Sequence, residues 1–390
     1  MDNFIYNVPT KVFFGRAQQA EVGQIIKGYG YKKVLLHYGK NSIKKSGLYD
    51  EICGALRAAG IDFIELGGVE ANPKVELVAA GAALCRREGV ELILAVGGGS
   101  VVDSAKVMAI CALEDNAPFD YPARRATAAR ALPVGVILTL AASGSEMSAS
   151  AVLTDLASGQ KRGFNSDCNR PLFSILNPEL TFSVDLFQTG CGIVDIMMHT
   201  LERYFVPTPN CELTDSIALA LVKQVVAAGQ VVMRNPADYE ARATLMWAGS
   251  LSHNDLTGCG KNCVLVCHQL EHIISGDYDH VAHGAGLSVA FPAWCKYVYR
   301  HDAVRFARFA QIVFDVSDGT PEEMAREGIV RCEAFFKEIG MPVRMGELGI
   351  DTTADFADMA FRCANNGTRT LPGILTLDVP EITEIFELMV

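Results

Sequence analysis

The sequence predicts an α/β fold class in two parts, a parallel-sheet domain over residues 1–186 and an all-α domain over 187–390. Three observations predict it. Short apolar, strand-like runs alternate with helix-like ones up to about residue 186, and a glycine triplet at Gly97–Gly99 joins one of these runs to a helix start. Beyond Leu186 the strand-like runs give way to long stretches rich in Ala, Leu and Met, with apolar residues at helical spacing. At 390 residues the chain also exceeds what one hydrophobic core usually supports, so two domains are expected.

Taken in order, Lys33–Tyr38 (KVLLHY) reads as a strand and Gly47–Gly60 as an amphipathic helix closed by glycine. Asp62–Leu66 is a second strand, Val75–Gly89 a second helix, and Pro133–Leu140 a further apolar strand after the glycine turn. Repeated β-α-β units imply a parallel sheet covered by helices, with ligands at the carboxyl ends of its strands. Helices are expected over 187–206, 214–230, 238–254, 261–275, 302–314 and 321–338.

The segment Glu91–Lys106, ELILAVGGGSVVDSAK, carries most information in the first domain. It reads as a buried strand, a turn without side chains and the first turns of a helix. Three glycines let the backbone approach a ligand closely, and the N–H groups of a helix start attract phosphate. Ser100 and Asp103 also fit an S-x-x-D capping box, which needs no ligand. The segment alone leaves both readings open.

A net charge of −11, with no basic runs, argues against a nucleic-acid or anionic-membrane surface. Asp2 and Lys11 interrupt the first fifteen residues, which lack the apolar core of a secretory signal. The uncharged stretch Ala131–Ala142 contains Pro133 and Gly135 and is too short to span a bilayer. A soluble, cytoplasmic protein is expected. The twelve cysteines are scattered, which suits reduced thiols better than disulfides. Cys259, Cys263 and Cys267 recur every four residues and, with His268, could imitate a zinc site. Structural zinc sites draw on tighter C-x2-4-C knuckles, so small buried side chains are the expectation.

The second domain holds the metal-type residues. Asp195 and His199 lie four apart in GIVDIMMHTLERYF, on one face of a helix, among apolar neighbours. His268 and His272 are again four apart in HQLEH, and His283 follows in VAHGAG; four of the eight histidines fall between 268 and 283. One carboxylate with three imidazoles suits a divalent first-row metal acting as a Lewis acid.

With these residues in view, the chain resembles the iron-containing (group III) alcohol dehydrogenases over essentially its whole length, close to their butanol dehydrogenase and NADPH-dependent aldehyde reductase branch. The matching stretches are FIYNVPTKVFFG at 4–15, GGGSVVDSAK at 97–106, LTLAASGSEMS at 138–148, GIVDIMMHTLERYF at 192–205, and HQLEH with AHGAG at 268–286. The resemblance implies a Rossmann-like first domain in a dehydroquinate synthase-like fold. It implies hydride transfer between NAD(P)(H) and a primary alcohol or aldehyde, with one divalent metal, Fe2+ or Zn2+, on Asp195, His199, His268 and His283. His272 would carry the proton. Asn72, Gly97, Gly98, Gly99, Ser100, Asp103, Thr139, Leu140, Ser143, Ser145 and Lys161 would bind the cofactor, with Asp103 toward the nicotinamide end in a catalytic position and the nicotinamide toward the cleft between domains. A homodimer built on the N-terminal strands is implied as well.

Three departures from the family pattern stand out. SGDYDHVAHG is one residue longer than usual and adds His280 as a rival to His283; His283 is preferred because it directly precedes Gly284. Asn177-Pro178 replaces the usual Asp-Pro, and Asp185 replaces a common proline.

The cofactor form is read from the end of the strand Lys33–Tyr38. NAD-specific dehydrogenases commonly place an acid where it bonds the ribose hydroxyls and repels a 2′-phosphate. Here Gly39, Lys40, Asn41 and Ser42 offer no carboxylate, while Lys40 and Ser42 can donate to a phosphate. NADP(H) is therefore expected over NAD(H). Two other functions compete. A metal- and NAD-dependent lyase of the dehydroquinate synthase type should present several cations to an anionic substrate, and the 192–205 and 261–286 segments offer Arg203 and Lys261. A non-catalytic nucleotide-binding regulator leaves the carboxylate and histidines among apolar residues unexplained.

Overall fold

The computed structural model describes residues 1–351 and 354–390. It divides into two compact units, one of residues Asn7–Val184 and one of Met1–Tyr6 together with Asp185–Val390. The first six residues thus belong with the helical unit.

In the first unit the elements run β1 (Lys11–Phe14), α1 (Val22–Gly28), β2 (Lys33–Tyr38), α2 (Ser42–Lys45), α3 (Leu48–Ala59), β3 (Asp62–Leu66), α4 (Val75–Glu88), β4 (Leu92–Gly97), α5 (Gly99–Cys111), β5 (Val134–Leu138), β6 (Ser150–Asp155), β7 (Gln160–Asn165) and β8 (Phe173–Leu176). Six strands form a wholly parallel sheet in the order β1-β8-β5-β4-β2-β3. Its two central strands, β5 and β4, are buried along their entire length, as apolar strands covered on both faces must be. Alternate side chains Val34, Leu36, Leu92, Leu94 and Val96 pack with Val22 and Ile26 of α1 and Ile52 and Leu56 of α3. Helices α4 and α5 pack on each other, and α5 lies against β4. Helices α3 and α4 close on Gly60 and Gly89, at φ 76° and 64°, a left-handed conformation that glycine adopts without a Cβ penalty.

The antiparallel hairpin β6–β7 and the strand β8 escape the sequence reading. Strand β7 (QKRGFN) is largely polar, so it lacks the apolar signal of a core strand. Strand β8 has four residues, too few to show a period.

The second unit contains α6 (Leu186–Tyr204), α7 (Glu212–Arg234), α8 (Tyr239–Ser252), α9 (Val266–Asp277), α10 (His283–Val298), α11 (Ala303–Phe314), α12 (Pro321–Glu338), α13 (Phe356–Cys363) and α14 (Val379–Glu387). Helix α6 is central: it is buried from Thr189 to Tyr204 and packs on α7, α8, α9 and α10. Helix α10 lies outside the helices expected from the sequence. It is apolar nearly all round, so it shows no stripe to read, and Pro292 lies inside it. Residues 261–265 are not helical, so Cys259, Cys263 and Cys267 do not share a helix face; Cys267 alone lies on α9. Helix α7 is long and apolar enough to cross a membrane by length and composition, but it packs against α6, α8 and α11 as a core helix does.

Two of the departures have local explanations. Asp185 is the N-cap of α6, its carboxylate accepting from the Gln188 N–H at 2.8 Å. Asn177 likewise accepts from the Glu179 N–H at 3.1 Å and caps the short 3-10 turn that follows.

Candidate active site

Helix α6 presents Asp195 and His199 one turn apart, α9 presents His268, and the first turn of α10 presents His283. Asp195 Oδ1 lies 3.4 Å from His199 Nε2, 3.7 Å from His268 Nε2 and 3.8 Å from His283 Nε2. These separations are close to the edge of a tetrahedron of ligands around one ion, roughly 3.3–3.5 Å for bonds of about 2.0–2.1 Å. Asp195, His199 and His268 are each about 5% exposed or less. Asp195 Oδ1 and His268 Nε2 are buried with no hydrogen-bond partner among the described residues, which is costly unless something else occupies the space between them. The ligand atoms of Asp195, His199 and His268 lie within 4.8 Å of one another, and with the orphaned atoms they fit a divalent cation. His283 meets this set through Asp195 and also groups with Glu271 and His272 as a second cluster of metal-type donors.

The electrostatics agree. Burial alone would lower His268, but the Glu202 and Asp195 carboxylates outweigh it and raise the imidazole to about 9. The pocket thus favours positive charge at its centre. Burial, reinforced by His253 and His268, holds His199 well below its ordinary range and keeps its imidazole neutral.

The glycines beside His283 are required by packing. A Cβ on Gly284 would lie 2.2 Å from the Cys191 carbonyl oxygen on α6, and one on Gly286 would lie 2.8 Å from Glu271 Cγ on α9. Only without side chains does α10 come close enough to bring His283 to Asp195. His280 stands elsewhere, exposed, with Nε2 3.1 Å from the Leu348 carbonyl. His272 is half-buried one turn after His268, and its ring centroid is 5.7 Å from that of His283.

In the first unit, β4 ends at Gly97 and α5 begins at Gly99, with no side-chain cap on its N-terminus. Ser100 therefore lies inside the first turn, and the capping box with Asp103 does not form. A Cβ would lie 2.5 Å from Val101 Cγ2 at Gly97, 3.3 Å from Leu140 Cβ at Gly98 and 2.5 Å from Ser143 Oγ at Gly99. Leu140 and Ser143 thus lie directly on the glycine turn, and the Thr139 N–H donates to the Gly97 carbonyl at 3.0 Å. Asn72 takes a left-handed φ of 55°, and the next carbonyl, that of Pro73, accepts from the Thr154 N–H at 2.9 Å. Thr154 pairs with Lys161 across the hairpin, so loop and hairpin bring Asn72 and Lys161 into one neighbourhood.

Ser145 departs from its expected place lining a groove. It is 3% exposed, donates to Asp103 Oδ1 at 2.5 Å and accepts from Lys106 Nζ at 2.8 Å. Asp103 Oδ2 accepts from the Val152 N–H at 3.0 Å, so this carboxylate braces α5 against the loop and β6. Lys106, fully buried and lowered by burial to about 8, also donates to the Ser148 and Ser150 carbonyls. At the end of β2, Gly39 has ordinary clearance, its nearest neighbour being the Val69 carbonyl at 3.6 Å from a built Cβ. Lys40 Nζ pairs with Glu70 Oε1 at 2.7 Å, while Asn41 and Ser42 are exposed.

The family model for iron-containing alcohol dehydrogenase matches residues 9–178, and the model for the C-terminal part of the Fe-containing alcohol dehydrogenase family matches 189–389. The chain belongs to the iron-containing alcohol dehydrogenase family. It is 38% identical over 389 residues to the NADH-dependent butanol dehydrogenase A of Clostridium acetobutylicum, covering 99% of each chain. It is 30% identical to the NADPH-dependent aldehyde reductase of Escherichia coli, covering 90% of each. The crystal structure of NADH-dependent butanol dehydrogenase A from Thermotoga maritima superposes with a TM-score of 0.95 at 36% identity, covering 100% of this chain and 99% of that one. As a member of this family the chain is an oxidoreductase.

Two site residues of this family member escaped the sequence reading. His268 Nδ1 donates to Glu202 Oε1, and His283 Nδ1 donates to Glu271 Oε2. Glu202 follows the D-x3-H pair on α6, three residues after His199, and Glu271 is the acid inside HQLEH. The available signal is an acid one turn from a histidine of the cluster, where it can reach an imidazole on the neighbouring helix.

Proposed function

We propose that this alcohol dehydrogenase transfers a hydride reversibly between NADP(H) and a short primary alcohol or aldehyde, using a divalent metal, Fe2+ or Zn2+, held by Asp195, His199, His268 and His283. The observation that carries this is the convergence of three imidazole Nε2 atoms on Asp195 Oδ1 within 3.4–3.8 Å. When bound, the metal supplies Lewis-acid polarisation of the substrate oxygen. The glycine turn and the uncapped N-terminus of α5 hold the cofactor pyrophosphate. His272, beside the ligand set but outside it, takes or returns the substrate proton. The nicotinamide carries the hydride.

The cofactor form rests on Gly39–Ser42, which carry no acid, with Lys40 and Ser42 exposed to meet a 2′-phosphate. Glu70 opposes this through its pair with Lys40. Both side chains are more than half exposed, so the pair is weak and a phosphate dianion can displace it. The relatives include proteins named for either cofactor. The lyase reading loses support because its two cations are committed. Arg203 donates to the His199 and Ser252 carbonyls, and Lys261 to Asp215 and the Arg203 and Tyr204 carbonyls.

A soluble, cytoplasmic homodimer completes the proposal. Its supports are the free thiols of all twelve cysteines, β1 at the sheet edge, and the exposed Phe4, Ile5, Tyr6 and Phe14 in and before that strand. Assays with NADPH or NADH and short aldehydes, on metal-stripped protein refilled with Fe2+ or Zn2+, test the activity. No cofactor oxidation with either metal would overturn it.

A further inference from the structure

Each ligand-bearing helix is tied to the next through a carboxylate outside the ligand set. Glu202 on α6 takes Nδ1 of His268 on α9, and Glu271 on α9 takes Nδ1 of His283 on α10. Both glutamates are buried, at 5% and 0% exposure, and a buried carboxylate is tolerated only where donors satisfy it. Glu202 has a second donor, the Cys267 N–H at 2.6 Å, so its position is fixed by backbone as well as by imidazole. A carboxylate accepts, so Nδ1 of each histidine carries a proton, and it is Nε2 that is left to a cation, which would stand where the second proton of His268 otherwise sits. Those Nε2 atoms are the ones that face Asp195. His199 is held differently: its ring lies on that of His253, with centroids 3.9 Å apart.

We propose that Glu202 and Glu271 are positioning residues of the metal centre, fixing the Nε2-donor tautomer and ring orientation of His268 and His283 and strengthening cation binding by their charge. The inference rests on the metal-site reading above. Asp195 and the two glutamates bring three negative charges to a cation carrying two positive ones. Ligand basicity and pocket charge therefore both favour retention of the ion. The competing account is structural: the pairs hold three helices together and do nothing for the metal.

Glutamine separates the two, because it keeps the shape and removes the charge. At Glu271 its oxygen still accepts from the His283 Nδ1–H, whereas at Glu202 one of the two donors, the His268 Nδ1–H or the Cys267 N–H, meets an NH2 instead. The experiment titrates Co2+ against a competing chelator into the metal-free full chain. It compares wild type, Glu202→Gln, Glu271→Gln, the two alanine variants and His268→Ala, and records the cobalt visible spectrum and the melting temperature of each metal-free protein. Each Gln variant should bind Co2+ about 10- to 100-fold more weakly, with metal-free Tm nearly unchanged in Glu271→Gln and lowered in Glu202→Gln. The alanine variants, which free the imidazole ring, should also change the cobalt spectrum. Wild-type cobalt affinity in both Gln variants overturns the inference, as does a lowered Tm accompanied by unchanged affinity. Failure of wild type to bind Co2+ in a manner that His268→Ala abolishes would instead overturn the metal site itself, and the inference with it.

Discussion

Asp195 Oδ1 and His268 Nε2 face each other 3.7 Å apart, buried, and too distant to share a hydrogen bond. Two polar atoms held at that separation in an apolar helical core are explained by a third body that both contact. Replacing His268 with alanine should remove one equivalent of bound metal and lower kcat/KM for aldehyde reduction at least about 100-fold. Far-UV circular dichroism should stay unchanged. Retention of both metal and activity in that variant would show that the ligand set is misassigned.

His280 and His283 differ in what they touch. His283 joins Asp195 and Glu271, whereas His280 reaches the Leu348 carbonyl. Elemental analysis should find that His283→Ala loses metal and His280→Ala keeps it. The reverse pattern would move the fourth ligand to His280.

The Lys40–Glu70 pair sets the expectation for cofactor choice. An exposed pair is worth about 0.2–1 kcal/mol, so Glu70→Gln should raise the NADPH/NADH ratio of kcat/KM by roughly 1.4- to 5-fold. Gly39→Asp adds a charge beside the phosphate position and should lower that ratio at least about tenfold. Steady-state kinetics with both cofactors decide this. A wild-type preference for NADH would refute the NADP(H) proposal and leave the dehydrogenase standing.

His37 provides a pH test in the cofactor domain. Its Nδ1–H donates to the Leu66 carbonyl at 2.8 Å, so Nε2 accepts from the Ser104 hydroxyl at 2.9 Å. Burial lowers this neutral imidazole from 6.5 to about 4. Between those values the unfolded chain binds the proton and the folded one does not. Stability therefore falls as pH drops from about 6.5 to about 4, by about 2 kcal/mol between pH 7 and pH 5 from this group alone. Urea unfolding at the two pH values should show a smaller drop in His37→Gln than in wild type. Equal drops would assign the acid sensitivity elsewhere.

Much of this molecule is legible in the chain because its signals are local. Strands Lys33–Tyr38 and Asp62–Leu66 read directly, since an apolar run of strand length between helix-forming segments has little else to be. Asp195 and His199 share a face because i and i+4 always do on a helix, while the roles expected of His268 and His283 come from the family resemblance alone. Other features depend on distant segments. Ser145 turns inward because Lys106, thirty-nine residues earlier, needs acceptors for a buried ammonium. Glu70 meets Lys40 because the loop after β3 hydrogen-bonds to Gly39. Glu202 reaches His268 across sixty-six residues, and the Gly284 contact with Cys191 decides that His283, and not His280, meets Asp195. Sequence periodicity determines which way a side chain points on its own element. Only close packing between elements decides what it meets there, because an unsatisfied charge or a misplaced Cβ is tolerated or excluded by its three-dimensional neighbours.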